Sequence, residues 1–320
     1  ARVVNRAAGE EHLRASTASE MAATSSVELL KAHAVISRSW LMAQMRVTRA
    51  LASRGAEVDE PESNGGEEIV RWYDRDDHVD FDVCAADHCQ RYQGALRAST
   101  PQVDEAIAAT CGMVLADADG LIADARFSKC CGGVTELFEN CWQPRHHSYL
   151  VPIYDAAGAD APTCFCSTRD SDVLRQVLND FDRDTTPDFY RWTVAMGQRE
   201  LSELVKRKSG IDFGLITELM PLHRGPSGRI TRLRITGTKR TVVVGKELEI
   251  RRWLSESHLR SSAFSVERGA DGSFTLHGAG WGHGVGLCQI GAAVMASQGY
   301  DYRKILAHYF PTTHIIRLYR

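Results

Sequence analysis

The 320 residues suffice for one large domain or two ordinary ones, and a composition of 43% hydrophobic and 25% charged residues is that of a soluble globular protein. A net charge of −3 excludes an overall basic field for nucleic acid or an anionic membrane surface. No stretch approaches the roughly 18 consecutive apolar residues of a membrane span. The chain begins at Ala1 with neither an initiator Met nor a secretory leader, so a mature or trimmed form is expected and the compartment is not written at its N-terminus.

Ser16-Thr17-Ala18-Ser19-Glu20-Met21 lies just ahead of a strong helix start and carries Glu20, the acid best placed for chemistry. Ser25-Ser26-Val27-Glu28 has the S-x-x-E form of a capping box, in which Ser25 and Glu28 would satisfy each other's backbone N–H groups. Leu29, Leu30, Ala34, Val35, Trp40 and Leu41 follow at helical spacing, with no Gly or Pro before Gly55, which predicts one long helix over 27–52. Lys31, Ala34, Val35 and Arg38 share a stripe of it. Residues 55–67 read as an acidic loop, and 72–94 as irregular chain rich in His, Asp and Cys.

A short helix is predicted over 100–111, with Val103, Ile107 and Ala108 inward. Residues 113–115 and 122–127 read as a strand pair around the Asp117-Ala118-Asp119-Gly120 turn. Residues 155–185 are polar and poorly patterned. A helix over 197–209 and strands over 216–222, 230–235, 241–244 and 274–277 follow. Two helices close the chain: 288–298, ended by Gly299, and 302–310, stopped by Pro311. Helices and strands are segregated rather than alternating, which predicts an α+β fold: mixed sheets, a long N-terminal helix and a substrate groove. Residues 1–320 read as one domain with two lobes, about 1–155 and 156–320.

Nine cysteines cannot all pair within one chain. Their grouping (Cys84/Cys89, Cys130/Cys131/Cys141 and Cys164/Cys166, with Cys111 and Cys288 alone) suits a metal site and one or two disulfides, at least two thiols staying buried and inert. His78, Cys84, His88 and Cys89 fall within twelve residues and supply the thiolate and imidazole ligands zinc prefers. Four protein ligands would leave no open position, the mark of a structural zinc. Asp82 or Asp87 could replace one His, and a Cys84–Cys89 disulfide is the plainer alternative. Between His277 and Leu287, glycine stands at every second position from Gly278 to Gly286. This is not a phosphate loop, since no Gly-Lys-Ser/Thr follows. Such glycine density lets backbone approach a ligand and displays Trp281 and His283, side chains suited to a glycan groove; a hydrogen-bonded spacer is the alternative for His283.

Four blocks, in order and spanning nearly the whole chain, resemble the SpoIID/LytB family of bacterial cell-wall proteins. They are Glu20-Met21 with Glu28 to Trp40; His78, Cys84 and His88-Cys89-Gln90; Ser128 with Cys131-Gly132-Gly133-Val134-Thr135-Glu136; and Gly282-His283-Gly284-Val285-Gly286-Leu287 with Gln289, Gly291-Ala292, Gly299 to Tyr302 and Tyr309-Phe310-Pro311. The last block is the most specific. The resemblance implies a peptidoglycan lytic transglycosylase that cleaves between N-acetylmuramic acid and N-acetylglucosamine and leaves a 1,6-anhydro end. It implies Glu20 as catalytic acid, Arg38 as its helper on a substrate oxygen or on the acid, and a structural zinc on His78, Cys84, His88 and Cys89. Ser128, Gly132, Gly133, Thr135, Glu136, Trp281, His283, Gly284 and Gln289 fall to the substrate. Departures are Ala22 where the family has Pro, His33 where Gln is usual, Cys130-Cys131 in place of hydroxyl residues, and Val134 in place of an aromatic.

A lytic transglycosylase needs one carboxyl group used twice, as acid on the leaving oxygen and then as base on the sugar's C6 hydroxyl, whereas ordinary glycosidases use two. Met21 and the aliphatic face of the long helix would supply an apolar wall for that acid. Glu136 is the rival acid; its alternative role is a charge at the start of a short helix over 137–141. Two other functions fit the pattern: a non-catalytic glycan binder that modifies a cell-wall amidase, and a zinc hydrolase. The expected setting is extracytoplasmic, with peptidoglycan strands as partner, no nucleic acid and no transmembrane segment. There, disulfides among Cys130, Cys131, Cys141, Cys164 and Cys166 are expected.

Overall fold

The computed structural model describes residues 4–22, 25–54, 63–64, 67–73, 81–84, 89–94, 99–177, 188–257 and 259–320. Its organising element is the long helix α2 (Val27–Arg54), which follows α1 (Gly9–Glu20). Every residue from Ala32 to Trp40 is buried. A helix covered on all sides is a core helix, and its polar residues must then find partners. They do: Ser39 Oγ donates to Val35 O at 2.6 Å and accepts from Leu115 N at 2.8 Å, and Ser37 Oγ meets His33 Nδ1 at 3.2 Å. Around α2 pack α1, α3 (Pro101–Ala109), α7 (Gln289–Ser297), α8 (Tyr302–Tyr309) and strand β3 (Met113–Ala116). The Thr100 hydroxyl caps α3, accepting from Val103 N with Pro at the first turn.

Among the described residues the strands form four sheets. The largest is five-stranded, in the order β1 (Ser63–Asn64), β2 (Glu68–Val70), β8 (Thr241–Gly245), β7 (Ile230–Gly237), β6 (Ile216–Arg224). A three-stranded antiparallel sheet sets β10 (Phe274–Ala279) between β5 (Arg191–Met196) and β9 (Phe264–Arg268). Two short pairs join distant parts of the chain: β4 (Phe127–Ser128) runs parallel to β11 (Leu287–Cys288), and β12 (His314–Arg317) runs antiparallel to β3. α4 (Ser171–Val177), α5 (Gln198–Ser209) and α6 (Glu247–Trp253) complete the helices. The apolar interior falls into two clusters. One gathers α1–α4, α7 and α8 with the loops between Ala123 and Phe189; the other fills the space between α5, α6 and the two larger sheets. The fold is α+β, as the segregated patterns predict, and no helix among the described residues is long and apolar enough to cross a membrane.

Three local expectations are corrected. The capping box is not made at Ser25 and Glu28: the Ser25 hydroxyl donates to Gln176 O, Ser26 Oγ accepts from Leu29 N instead, and Glu28 accepts from Tyr302 N at the start of α8. Partners distant in the chain outcompeted the local ones. The predicted strand pair after residue 113 shrinks to a single bridge, Ala116 to Ile122, because β3 spends its hydrogen bonds on β12. The Asp117–Gly120 turn itself is present, with Asp117 Oδ1 accepting from Asp119 N and Leu121 N. Finally, the segment before α2, which carries no helical pattern in the sequence reading, forms α1, and Glu20 is its last residue.

Candidate active-site cavity

α1 ends at Glu20 because Met21 turns extended, its N–H still closing on Thr17 O at 3.0 Å. Met21 is buried, and Glu20 beside it is only half-buried. The Glu20 carboxyl group therefore hangs at the carbonyl end of a helix, where Oε1 accepts from Arg91 N at 2.7 Å. It opens on a cavity of about 560 Å3. Trp40, Phe127, Trp142, Phe189 and Trp281 give this cavity an aromatic lining, and Arg91, Arg126, Lys129 and Arg251 a basic one. A larger hollow of about 650 Å3, lined by Asp188, Arg191, Arg224 and His277 among others, holds none of the candidate catalytic, substrate or metal residues.

Of those residues, Glu20, Cys89, Ser128, Trp281, His283 and Gln289 share the smaller cavity. Ser128 comes from β4, and Gln289 stands directly after its parallel partner β11, so one strand pair delivers both. The Ser128 hydroxyl and the Gln90 Oε1 are buried on the cavity wall with no hydrogen-bond partner among the described residues. Orphaned polar atoms of this kind are answered by a ligand or by water. Trp281 stacks obliquely on Phe189, ring centres 4.9 Å apart, and pairs backbone to backbone with Cys130. His283 Nδ1 accepts from Val285 N at 3.0 Å, and its ring meets Trp142 edge-on at 4.8 Å. Burial, and then Arg126, Arg229 and Arg251, hold its protonation well below the ordinary histidine range, so it is a neutral imidazole.

The glycines of both loops serve backbone geometry. Gly282 takes φ +88°, and a Cβ there would stand 3.0 Å from Ser128 Cβ. Gly284, with φ +78°, leaves room for Arg229, whose Nη1 a Cβ would approach to 2.4 Å. Arg229 is the residue that sequence reading missed. It is fully buried. It donates to Gly282 O from Nε at 3.0 Å and from Nη2 at 2.9 Å, and to Cys131 O and Ser227 Oγ from Nη1 at 3.0 Å each. One guanidinium thus ties the Cys130–Gly133 loop to the Trp281–His283 loop, and the only sequence signal was an Arg after a Pro-Ser-Gly turn.

Gly132, Gly133, Thr135, Glu136 and Gly284 lie outside the lining of the cavity. Thr135 Oγ1 donates to Val151 O and accepts from Ile153 N. Glu136 is fully buried and its oxygens accept from Leu137 N, Asn140 Nδ2 and the backbone and hydroxyl of Ser227. It braces the turn next to Arg229. Arg38 is fully buried on α2, away from Glu20. Its Nε and Nη2 grip the two Glu10 oxygens at 2.8 Å each, and Nη1 donates to Met113 O at 2.9 Å. Tyr319 donates its hydroxyl to the same Glu10 at 2.6 Å. Arg38 therefore anchors the first turn of α1, whose last residue is Glu20.

His33 stands between Ser37 and Gln289, its Nε2 3.4 Å from Gln289 Nε2. Burial and then Lys129 press its pKa from 6.5 to about 3. The unfolded chain thus takes up this proton first as pH falls. Stability is complete above about pH 6.5 and erodes from there toward pH 3, at about 1.4 kcal/mol per pH unit. His33→Gln should flatten urea-midpoint curves measured between pH 7 and 4; an unchanged slope would remove His33 from the account.

Of the expected zinc ligands, Cys84 and Cys89 are half-buried, and His78 and His88 lie outside the described residues, as does Asp87. The expected disulfides are not formed: Cys141 and Cys164 thiols donate to His283 O and Gly133 O, while Cys131 and Cys166 turn to each other and to Asp155 without a bond. Buried carbonyl and carboxylate partners took the place of pairing.

Fold and cavity together define an α+β protein with one aromatic, basic-walled cavity at the end of a short helix. Residues 1–116 match the family model described as stage II sporulation protein, and residues 136–286 match a domain of unknown function (DUF8618). Over 312 residues, 96% of this chain and 74% of the relative, the sequence is 25% identical to stage II sporulation protein D of Bacillus subtilis (strain 168). A 69-residue stretch, 22% of this chain and 20% of the relative, is 41% identical to stage II sporulation protein D of Bacillus amyloliquefaciens. Another of 76 residues, 24% of this chain and 11% of the relative, is 32% identical to the amidase enhancer of Bacillus subtilis (strain 168). Over residues 1–116, and at lower identity along nearly its whole length, the chain is similar to stage II sporulation protein D (SpoIID) proteins.

Proposed function

We propose that this protein is a peptidoglycan lytic transglycosylase acting outside the cytoplasmic membrane, with Glu20 as acid and then base. One observation carries the reading: among the described residues two carboxylates line the cavity, and only one of them is accessible. Glu247 is buried and faces Arg251 within α6. Glu20 is left as a single acid, which suits intramolecular attack and not the paired carboxylates of ordinary glycosidases. In the reaction Glu20 gives its proton to the glycosidic oxygen as that bond breaks. The C6 hydroxyl of the muramic acid then closes on C1, and its proton goes to the Glu20 carboxylate, restoring the acid.

Aromatic faces and the orphaned Ser128 and Gln90 oxygens suit a ligand with apolar ring faces and many hydroxyls. Trp281 is the proposed stacking platform, and Trp281→Ala should weaken binding to glycan strands about tenfold or more in a pull-down titration; undiminished binding would move the glycan elsewhere. Zinc on His78, Cys84, His88 and Cys89 remains the proposed structural cofactor of the segment leading to the cavity wall at Cys89. Mass spectrometry of products from peptide-free glycan strands tests the main reading, which requires 1,6-anhydro ends. The similarity to an amidase enhancer favours a second reading, a glycan-binding partner of a cell-wall amidase. Binding without anhydro ends would select it.

A further inference from the structure

Cys131, Asp155, Cys166 and Cys288 come from four separate stretches of chain, and all four are buried. Their sulfur and carboxylate oxygen atoms lie within 4.8 Å of one another. Cys131 Sγ stands 3.5 Å from Cys166 Sγ and 3.3 Å from Asp155 Oδ2. Tetrahedral ligands around zinc, with Zn–S bonds near 2.3 Å, are separated by about 3.7 Å, so shifts of about 1 Å or less would close the shell.

The surroundings are arranged for sulfur that carries charge. Cys288 Sγ accepts from Cys131 N at 3.3 Å and from Gly291 N at 3.4 Å, and Cys131 Sγ accepts from Gly133 N at 3.4 Å. Cys288 is also the N-cap of α7, whose amino end favours a thiolate. Tyr309 donates its hydroxyl to Asp155 Oδ1 at 2.6 Å, and His308 Nε2 lies 3.7 Å from the same oxygen. Outer bonds of this kind orient metal ligands. Gly291 keeps the space open, since a Cβ there would stand 2.2 Å from Tyr309 Oη and 2.6 Å from Asp155 Oδ2. With no ion, three thiols and a carboxylate would share a dry pocket at a desolvation cost.

The geometry points to a buried zinc site made by the Cys131, Cys166 and Cys288 thiolates and the Asp155 carboxylate, distinct from the His78–Cys89 segment. Binding displaces the three thiol protons to solvent, so affinity rises with pH. The four ligands fill the tetrahedron, which makes the ion structural. The excess negative charge is met by the amino end of α7, the backbone N–H groups, Tyr309 and His308. Cys288 directly precedes Gln289, and Cys131 follows Ser128 by three positions, so the ion pins the two chain segments that floor the Glu20 cavity.

The test uses the full chain with Cys84→Ser and Cys89→Ser, which removes the thiols of the other segment. Purified under reductant with zinc, it should keep one equivalent by elemental analysis. After exchange with Co2+ it should show a thiolate charge-transfer band and tetrahedral d–d bands. X-ray absorption should count three sulfurs, a readout that leaves Cys131, Asp155, Cys166 and Cys288 unchanged. Adding Cys288→Ser should abolish the charge-transfer band, and adding Cys130→Ser should leave it. A metal-free protein, a shell with fewer than three sulfurs, or a band that survives Cys288→Ser overturns the site. These readouts follow the metal alone and stand apart from glycan cleavage.

Discussion

Glu20→Gln should abolish anhydro-product formation, lowering turnover by at least 10²–10⁴-fold, the usual worth of a positioned acid–base group. The amide keeps an oxygen for the Arg91 N–H but has no proton to give to a leaving oxygen. Binding of glycan strands should be nearly unchanged, because the aromatic walls do not move. Glu136→Gln is the necessary comparison. Its carboxylate accepts four hydrogen bonds inside the protein, so the expected damage is to stability, read as a lower urea midpoint, with cleavage retained in the molecules that stay folded. Full cleavage by Glu20→Gln would remove Glu20 as the acid, and loss of cleavage in folded Glu136→Gln alone would transfer that role to Glu136.

Arg229→Leu should be among the most destabilising single substitutions in the chain. It strips donors from the buried Cys131 O and from the part-buried Gly282 O and Ser227 Oγ. Charge-assisted hydrogen bonds and orphaned carbonyls together put the loss at about 3 kcal/mol or more. Arg232→Leu serves as the reference, since its partner Glu68 is met at a half-exposed surface and such pairs are worth about 1 kcal/mol or less. Equal urea midpoints for the two variants would show that Arg229 does not hold the loops.

Periodicity and end signals were enough to read α2, α3, α5, α7 and α8 to within a few residues, because each has an apolar stripe and a Thr, Asp, Gly or Pro at its end. α1 escaped for a physical reason: Leu13 is its one large apolar residue, and the face it buries is otherwise made of Ala15, Ser16, Thr17, Ala18 and Ser19. Small residues pack closely without leaving a hydrophobic pattern. β12 escaped because His314-Ile315-Ile316-Arg317 is too short to read as a strand without its partner β3. At the cavity, Glu20, Ser128, Trp281, His283 and Gln289 could be named from the family-like blocks. What those blocks could not convey is which residues face a ligand and which face each other. Gly284 and Glu136 belong to the second kind, and so does Arg38, whose partner Glu10 sits twenty-eight positions away on a helix that had not been recognised.

The grip of Tyr319 and Arg38 on Glu10 has a consequence for the order of synthesis. A hydrogen bond between residues 309 positions apart cannot form until nearly the whole sequence has left the ribosome. The Arg38 half of that grip needs only α2, whereas the Tyr319 half comes from the far end of the sequence. β3 likewise lacks its partner until β12 is made. Closing so long a loop is slow and exposes unpaired edges while it lasts. The helix that ends at Glu20 thus carries one contact that only the completed chain can supply.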